Sequence, residues 1–348
     1  MSSMTRLSGP WLRRLRRARL GAADTLVGAQ WVGAELVLAR VLRDDQRPEV
    51  DQVAILPAPP ETRADLVKRL ADGDLLGGAA VVLTLAPGQY DLHQVAAPTV
   101  PPEEMRDALR WQLRGSLAYA PEEAAIDFVH LPHGTGSHAR ETLLVVTAHQ
   151  PVVRSAVAPF LASGVHIEAV DIPEFAQRNL ARLAVRSDGT HAWLGFERET
   201  CLLTAHLKDE LAFARRMLLP GANHNAIDAD TPESIAHVAE RIVTQAQRTL
   251  DTFERQSGLP PVTQIIVGPH RHAETITNAL AERTGLAVAR FNARTTFDFG
   301  RAAAARADDL PAAALPAIGA ALRVEDDATA SGFTAFAQRV RGALKRAA

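Results

Sequence analysis

Two runs of short apolar strands constrain this chain more than any other feature. Residues 26–31, 35–41 and 51–56 read as three strands, with a tight turn at Gly33 between the first two. The same theme returns after the turn at 186–189, in residues 192–196, 200–206 and 211–217. Each triplet is followed by helices alternating with nearly continuous apolar strands, the mark of a strand buried on both faces. After the first triplet come a helix at 61–71 and a buried strand at 80–86. After the second come a long helix at 232–256, a strand at 263–268, a helix at 274–283, a strand at 287–291 and a small-residue helix at 315–323. The pattern predicts an α/β chain of two similar halves, each a mixed sheet with crossover helices. The echo is one of element order, with no sequence repeat beneath it.

Between the halves lies a stretch of different character. Residues 90–95 are strand-like, prolines at 98, 101 and 102 end them, and 102–118 reads as a helix opened by Glu103 and Glu104. Residues 125–131 and 142–148 bracket a Gly134–Ser137 loop as a long hairpin. Helices at 151–163 and 173–184 flank a strand at 165–171.

Composition removes several classes of function. Lys and Arg total 38 against 40 Asp and Glu, a net charge of −2, so the basic excess of a dedicated nucleic-acid binder is missing. The single cysteine, Cys201, cannot make an internal disulfide or build a zinc site alone, which fits a reducing, cytosolic setting. No run reaches the roughly 18 apolar residues that span a bilayer, and no apolar segment follows the basic N-terminus to make a signal peptide. Residues 1–23 carry six arginines and no acid. As a helix they would set an apolar stripe beside a basic face suited to an anionic surface or acidic partner; otherwise they form a solvated arm. Phe333, Phe336, Val340 and Leu344 recur at helical spacing, so residues 332–346 are expected to form an amphipathic helix, either packed on the body or docked to a membrane or partner.

The familiar catalytic signatures are missing. The sequence contains no Gly-x-x-x-x-Gly-Lys-[Ser/Thr] phosphate loop, Gly-x-Ser-x-Gly elbow or His-Glu-x-x-His pair, and no strand-anchored Gly-x-Gly-x-x-Gly. Of twelve histidines, the densest groups, His130/His133/His138 and His270/His272, lack the matching acids or thiolates a metal needs and read as surface residues.

The segment Val82-Leu83-Thr84-Leu85-Ala86-Pro87-Gly88-Gln89-Tyr90, the prolines at 98–102, and Met105-Arg106-Asp107-Ala108-Leu109-Arg110-Trp111-Gln112-Leu113 occur in an order that resembles a known family. So do Ala162-Ser163-Gly164-Val165, Ile265-Ile266-Val267-Gly268 and Ala317-Ile318-Gly319-Ala320-Ala321. From residue 25 to 323 the chain resembles the PilM-like, actin-fold proteins of type IV pilus assembly, and among them those of MSHA pilus biogenesis. The resemblance implies an actin-like fold of two ribonuclease-H-like halves: 24–87 with 155–187, and 188–330. A small subdomain, 88–154, is inserted in the first half, with an arm at 1–23 and a terminal helix at 331–348.

It further implies a cytoplasmic scaffold at the inner membrane, binding the cytoplasmic segment of a PilN-like bitopic membrane protein within the assembly platform. Self-association is a further expectation, and nucleic acid is not. The insert helix supplies Met105, Leu109, Leu113 and Leu117 as an apolar ridge. Arg106, Arg110 and Arg114 form a parallel basic ridge for the partner. In nucleotide-binding relatives an acid ends the first strand of each half and helps hold a metal-bound phosphate. Those positions here are Gln30, near the Gly33 turn, and Gly195, near Glu197, and neither supplies an anionic oxygen. Where adenosine would approach the backbone stands Gly268-Pro269, and the proline removes an N–H. A degenerate nucleotide cleft with no cofactor is expected, with an actin-fold ATP-binding protein or ATPase as the alternative.

Overall fold

The computed structural model describes residues 25–44, 47–132, 141–185, 187–198, 200–218 and 232–323. The basic arm, the terminal amphipathic helix and the Gly134–Ser137 loop lie outside the described residues.

The first three strands, β1 (Thr25–Val32), β2 (Glu35–Leu42) and β3 (Glu49–Pro57), form an antiparallel meander. Gly33 turns the first hairpin at φ +60°, a backbone state that only glycine adopts at little cost. After α1 (Arg63–Ala71), β4 (Ala80–Thr84) returns parallel to β1. Next come β5 (Asp91–Ala96), α2 (Met105–Leu113), β6 (Ala124–His130) and β7 (Thr142–His149). The chain then rejoins the first half through α3 (Gln150–Ala162), β8 (Ile167–Asp171) and α4 (Pro173–Ala184).

The second half repeats the order: β9 (Thr190–Phe196), β10 (Thr200–Leu207), β11 (Glu210–Leu218), α5 (Pro232–Ser257), β12 (Val262–Val267), α6 (Ala273–Thr284) and β13 (Ala287–Arg290). It closes with α7 (Ala293–Thr296), β14 (Asp298–Phe299) and α8 (Leu315–Ala321).

Three sheets result, ordered β14-β3-β2-β1-β4-β8, β11-β10-β9-β12-β13 and β5-β7-β6. The first two share a core order, and the third is a separate small sheet. Alternation along β1 decides the layering. Val27, Ala29 and Trp31 pack under α1 and α3, whereas Leu26 faces α4 and α8. Trp193 and Ile266 of the second sheet join that same α4/α8 cluster from the opposite side, so α4 and α8 form a layer between the sheets. Ala192, Leu194 and Ile265 face outward onto α5 and α6.

Two expectations need correction. The insert helix ends at Leu113 rather than Ala118: Arg114 is its C-cap and Gly115 follows, where glycine lowers helix stability by about 1 kcal/mol relative to alanine. The ridge survives in part, because Met105, Leu109 and Leu113 are buried against β6 and β7, while Leu117 reaches the same cluster from the loop. The segment 293–322, counted with the second half from sequence, belongs to the first sheet. There β14 pairs with Glu49 and Val50, and α8 packs on β1. Close approach needs small residues. A Cβ on Gly28 would fall 1.7 Å from the Ala317 carbonyl oxygen, and one on Gly319 would fall 2.2 Å from that of Ala176.

Candidate functional site

The crevice beside the α4/α8 layer is where the two first hairpins meet. On one side stands the β1–β2 turn. Gln30 is buried, opposite Thr84 on β4 and Val37 on β2. The Trp31 indole donates to the Ala156 carbonyl at 3.0 Å, and the Arg63 guanidinium lies 4.6 Å from its ring centroid. Arg63 also donates to the Gly33 carbonyl at 2.8 Å, so the turn is braced by the protein's own cation.

On the other side the β9–β10 hairpin carries Gly195 and Glu197. The space a side chain at Gly195 would need is taken: its Cβ would lie 2.2 Å from Gln177 Oε1. Gln177, from the buried side of α4, donates to the carbonyls of Trp193 at 3.0 Å and Leu202 at 3.1 Å and to Thr204 Oγ1 at 2.7 Å. Gly268 donates to the Leu194 carbonyl at 2.8 Å, and a Cβ there would lie 3.5 Å from the Gly195 Cα. What remains between Gln177, Trp193, Gly195, Glu197 and Leu315 is a cavity of ≈ 20 Å³. That volume suits a water molecule or so. Across the mouth, Arg198 of the second turn pairs with Glu35 of the first.

Glu197 is engaged as well. It accepts from Thr200 Oγ1 at 2.9 Å and from the Arg216 guanidinium. Arg216, on β11, also donates to Glu174 Oε1 and to the Tyr90 hydroxyl oxygen, both at 2.9 Å, and Tyr90 donates to Glu174 Oε2 at 2.6 Å. These four residues join the chain just before β5, the N-terminus of α4, the β9–β10 turn and strand β11. Burial pushes the Tyr90 phenol well above its ordinary range, with the Glu174 charge adding to it. Burial also raises the Glu174 carboxyl, against the pull of Arg216. Burial works against the Arg216 charge, but Tyr90, Glu174 and Glu197 outweigh it and hold the guanidinium more firmly protonated. The cluster therefore stores paired charge and offers no activated nucleophile. Cys201, whose thiol burial pushes up to about 12, offers none either.

Behind Gln177 runs a second buried polar chain. Thr204 Oγ1 accepts from Gln177 and shares a hydrogen bond of 2.7 Å with His206 Nε2. His191 stacks on it, ring centroids 5.2 Å apart, and both are buried.

Gly195, Glu197 and Gly268 thus converge, while Gln30 and Gly33 belong to the facing hairpin. The insert arginines lie elsewhere and are less open than a bare ridge. Arg106 pairs with Asp127 at 3.6 Å and sits over Phe128, and Arg110 pairs with Asp107. Arg114, past the last turn, lies 5.8 Å from the ring centroid of Trp111, which is 58% exposed. Among the described residues, no group of three or more His, Cys, Asp or Glu could hold a metal ion, and no helix is long and apolar enough to cross a membrane. Sequence reading missed Tyr90, Glu174, Gln177 and Arg216. A signal existed on α4, where Glu174 and Gln177 stand in helical phase with buried Leu180 and Ala181.

No protein-family model matches the chain. No curated protein matches it either. Among solved structures, it is similar to a chain of the PilM-PilN type IV pilus biogenesis complex, with TM-score 0.68 and 20% identity, covering 86% of this chain and 99% of that one. The fold is actin-like. A weaker likeness, TM-score 0.47 at 14% identity over 87% of this chain and 97% of the other, is to the cytoplasmic domain of EpsL, an inner membrane component of the type II secretion system of Vibrio cholerae. A ROK hexokinase from Thermus thermophilus matches at TM-score 0.40 and 12% identity, over 86% and 97% of the two chains.

Proposed function

We propose that this chain is a non-catalytic scaffold of a type IV pilus assembly machine, of the MSHA type and nearest in kind to MshI. It works at the cytoplasmic face of the inner membrane and binds the cytoplasmic segment of a PilN-like bitopic protein. The observation that carries this reading is the match along 99% of a chain from a PilM-PilN complex. The crevice supports the non-catalytic part. Gln177 occupies the hollow at Gly195, Arg216 neutralises Glu197, and Arg198 ties the two turns that would otherwise grip a phosphate. Without a carboxylate at Gln30 or Gly195 to hold a divalent ion, phosphoryl transfer lacks its usual electrostatic support.

In this reading the work is done by binding. The insert offers α2 with Trp111 and Arg114 on its outer side, and an exposed aromatic beside a cation suits an extended partner segment. The test has two arms. Purified chain should retain a tagged N-terminal segment of the PilN-like protein on a column and release no phosphate from ATP above background. Phosphate release that tracks the protein through purification, together with no retention of the segment, would replace this reading with the ATPase one.

A further inference from the structure

Two polar groups beside Gly195 are served by no other part of the described protein. The Trp193 indole is fully buried, and its Nε1–H has no acceptor among the described residues. That nitrogen lies 3.6 Å from where a Cβ on Gly195 would stand and 3.5 Å from where one on Gly268 would stand. Its N–H edge therefore borders the hollow that these two glycines leave. The second group is Gln177 Oε1. The Trp193 and Leu202 carbonyls can only accept, so the atom facing them is the amide nitrogen. The amide oxygen is thereby turned toward Gly195, 2.2 Å from the Cβ position, and takes no hydrogen bond from the described residues. Trp193 Nε1 and Gln177 Oε1 are not bonded to each other, although both residues line the same cavity. Buried polar groups are almost always paired, either with protein or with ordered water.

We propose that one resident water occupies this cavity, accepting from Trp193 Nε1–H and donating to Gln177 Oε1. The volume of ≈ 20 Å³ holds one water, which needs roughly 10–15 Å³ on the same measure, and leaves no room for a second. The bonds balance: one donor short of an acceptor, one acceptor short of a donor, and a molecule that supplies both. The assignment also gives Gly195 a positive role. A methyl group there would take the water's place and provide neither bond, so the water requires glycine as much as Gln177 does. The same polarity excludes a phosphate oxygen. An anionic oxygen could accept from Trp193, but it would be set against Gln177 Oε1, an acceptor held in its orientation by the Nε2 bonds. The hollow therefore selects a neutral group that both donates and accepts. This concerns the hollow alone and does not rest on the scaffold reading.

The chain has four tryptophans, so the test carries its own controls. In the full chain with ¹⁵N-labelled indoles, Trp193 Nε1–H should show a direct dipolar cross-peak to a water that tumbles with the protein. Trp31, whose indole donates to the Ala156 carbonyl, should show none, and exposed Trp111 should show only rapid exchange with bulk solvent. Trp11→Phe, Trp31→Phe and Trp111→Phe assign the signals by elimination and leave Trp193 in place. Gly195→Ala should abolish the cross-peak, and added inorganic phosphate should leave it unchanged. A high-resolution crystal structure should place the water within about 3.2 Å of both atoms. The proposal is overturned by a Trp193 indole with no water cross-peak, by a cross-peak that survives Gly195→Ala, or by one that disappears on adding phosphate. Electron density showing Trp193 Nε1 bonded directly to a protein acceptor overturns it as well.

Discussion

Replacing Arg216 by Met should expose how much the charge cluster at the insert's root contributes. The substitution keeps the methylene volume and removes the guanidinium that serves Glu174, Glu197 and Tyr90. Glu174, 2% exposed, would keep only the Tyr90 hydroxyl as a side-chain donor. Removing one partner of a buried pair costs about 3–5 kcal/mol, because the remaining carboxylate stays desolvated. Against a typical stability of about 5–15 kcal/mol that loss is large, and urea unfolding at pH 7 should show it directly. The pH dependence gives a second reading. The Glu174 carboxyl is already raised by burial, so the folded state binds its proton more readily than the unfolded state. Its contribution is greatest below the unfolded value and falls as pH rises through the folded one. Without Arg216 the folded value rises further, so the deficit against wild type should shrink between pH 7 and pH 5.5. Adding Glu174→Gln to Arg216→Met should recover at least about 1–2 kcal/mol at pH 7, since a neutral amide tolerates burial better. A deficit below about 1 kcal/mol, or one that stays constant with pH and unrelieved by Glu174→Gln, would refute this reasoning.

Three further outcomes are expected. Burial first, then the neighbouring His191 and Arg178 charges, depress His206, and burial depresses His191, so both bind fewer protons folded than unfolded. Their stability contribution is complete above about pH 6.5 and declines at about 1.4 kcal/mol per pH unit per group below it; urea melts of His191→Phe/His206→Leu should show a flatter acid limb than wild type. Gly28→Ala should cost at least about 3 kcal/mol, seen as lost soluble yield and a lower melting temperature, because its Cβ meets the Ala317 backbone at 1.7 Å and neither β1 nor α8 can yield alone. Trp111→Ala with Arg114→Glu should change stability by less than about 0.5 kcal/mol, both being exposed, while lowering capture of the PilN-like segment at least tenfold in a titration; unchanged capture would move the partner site away from α2.

What could be read in the sequence was what depends on neighbours along the chain. The strands of both triplets are legible because apolar alternation and Gly33 are local signals. The helix α4 is legible because Pro173 opens it. The overshoot of α2 has a local cause too: Leu117 continues the spacing of four set by Met105, Leu109 and Leu113, and only Gly115 marks the break. By contrast β14 is two residues long and owes its existence to Glu49 and Val50, far earlier in the chain. The placement of 293–322 on the first sheet was hidden for the same reason. Its alanines say only that something comes close, and the partner surfaces, Gly28 and Ala176, are far away in sequence.

The crevice shows most clearly how a site can be half legible. Gly195 reads as a missing carboxylate, and that much needs one position. That the gap is filled needs four. Gln177 fits over a glycine only, and its amide is held by Trp193, Leu202 and Thr204 on two strands. Thr204 is in turn committed to His206. A carboxylate returned at Gly195 would collide with Gln177 Oε1. Removing Gln177 to make room would take one donor from the Trp193 and Leu202 carbonyls and the Thr204 hydroxyl oxygen, at about 1 kcal/mol for a typical bond. Even then, a metal held there would face Glu197 only by competing with Arg216, which Glu174 and Tyr90 hold in place. Each single step toward a phosphate site therefore meets a clash or loses a bond, and binding chemistry added to this fold has its easier route on the insert.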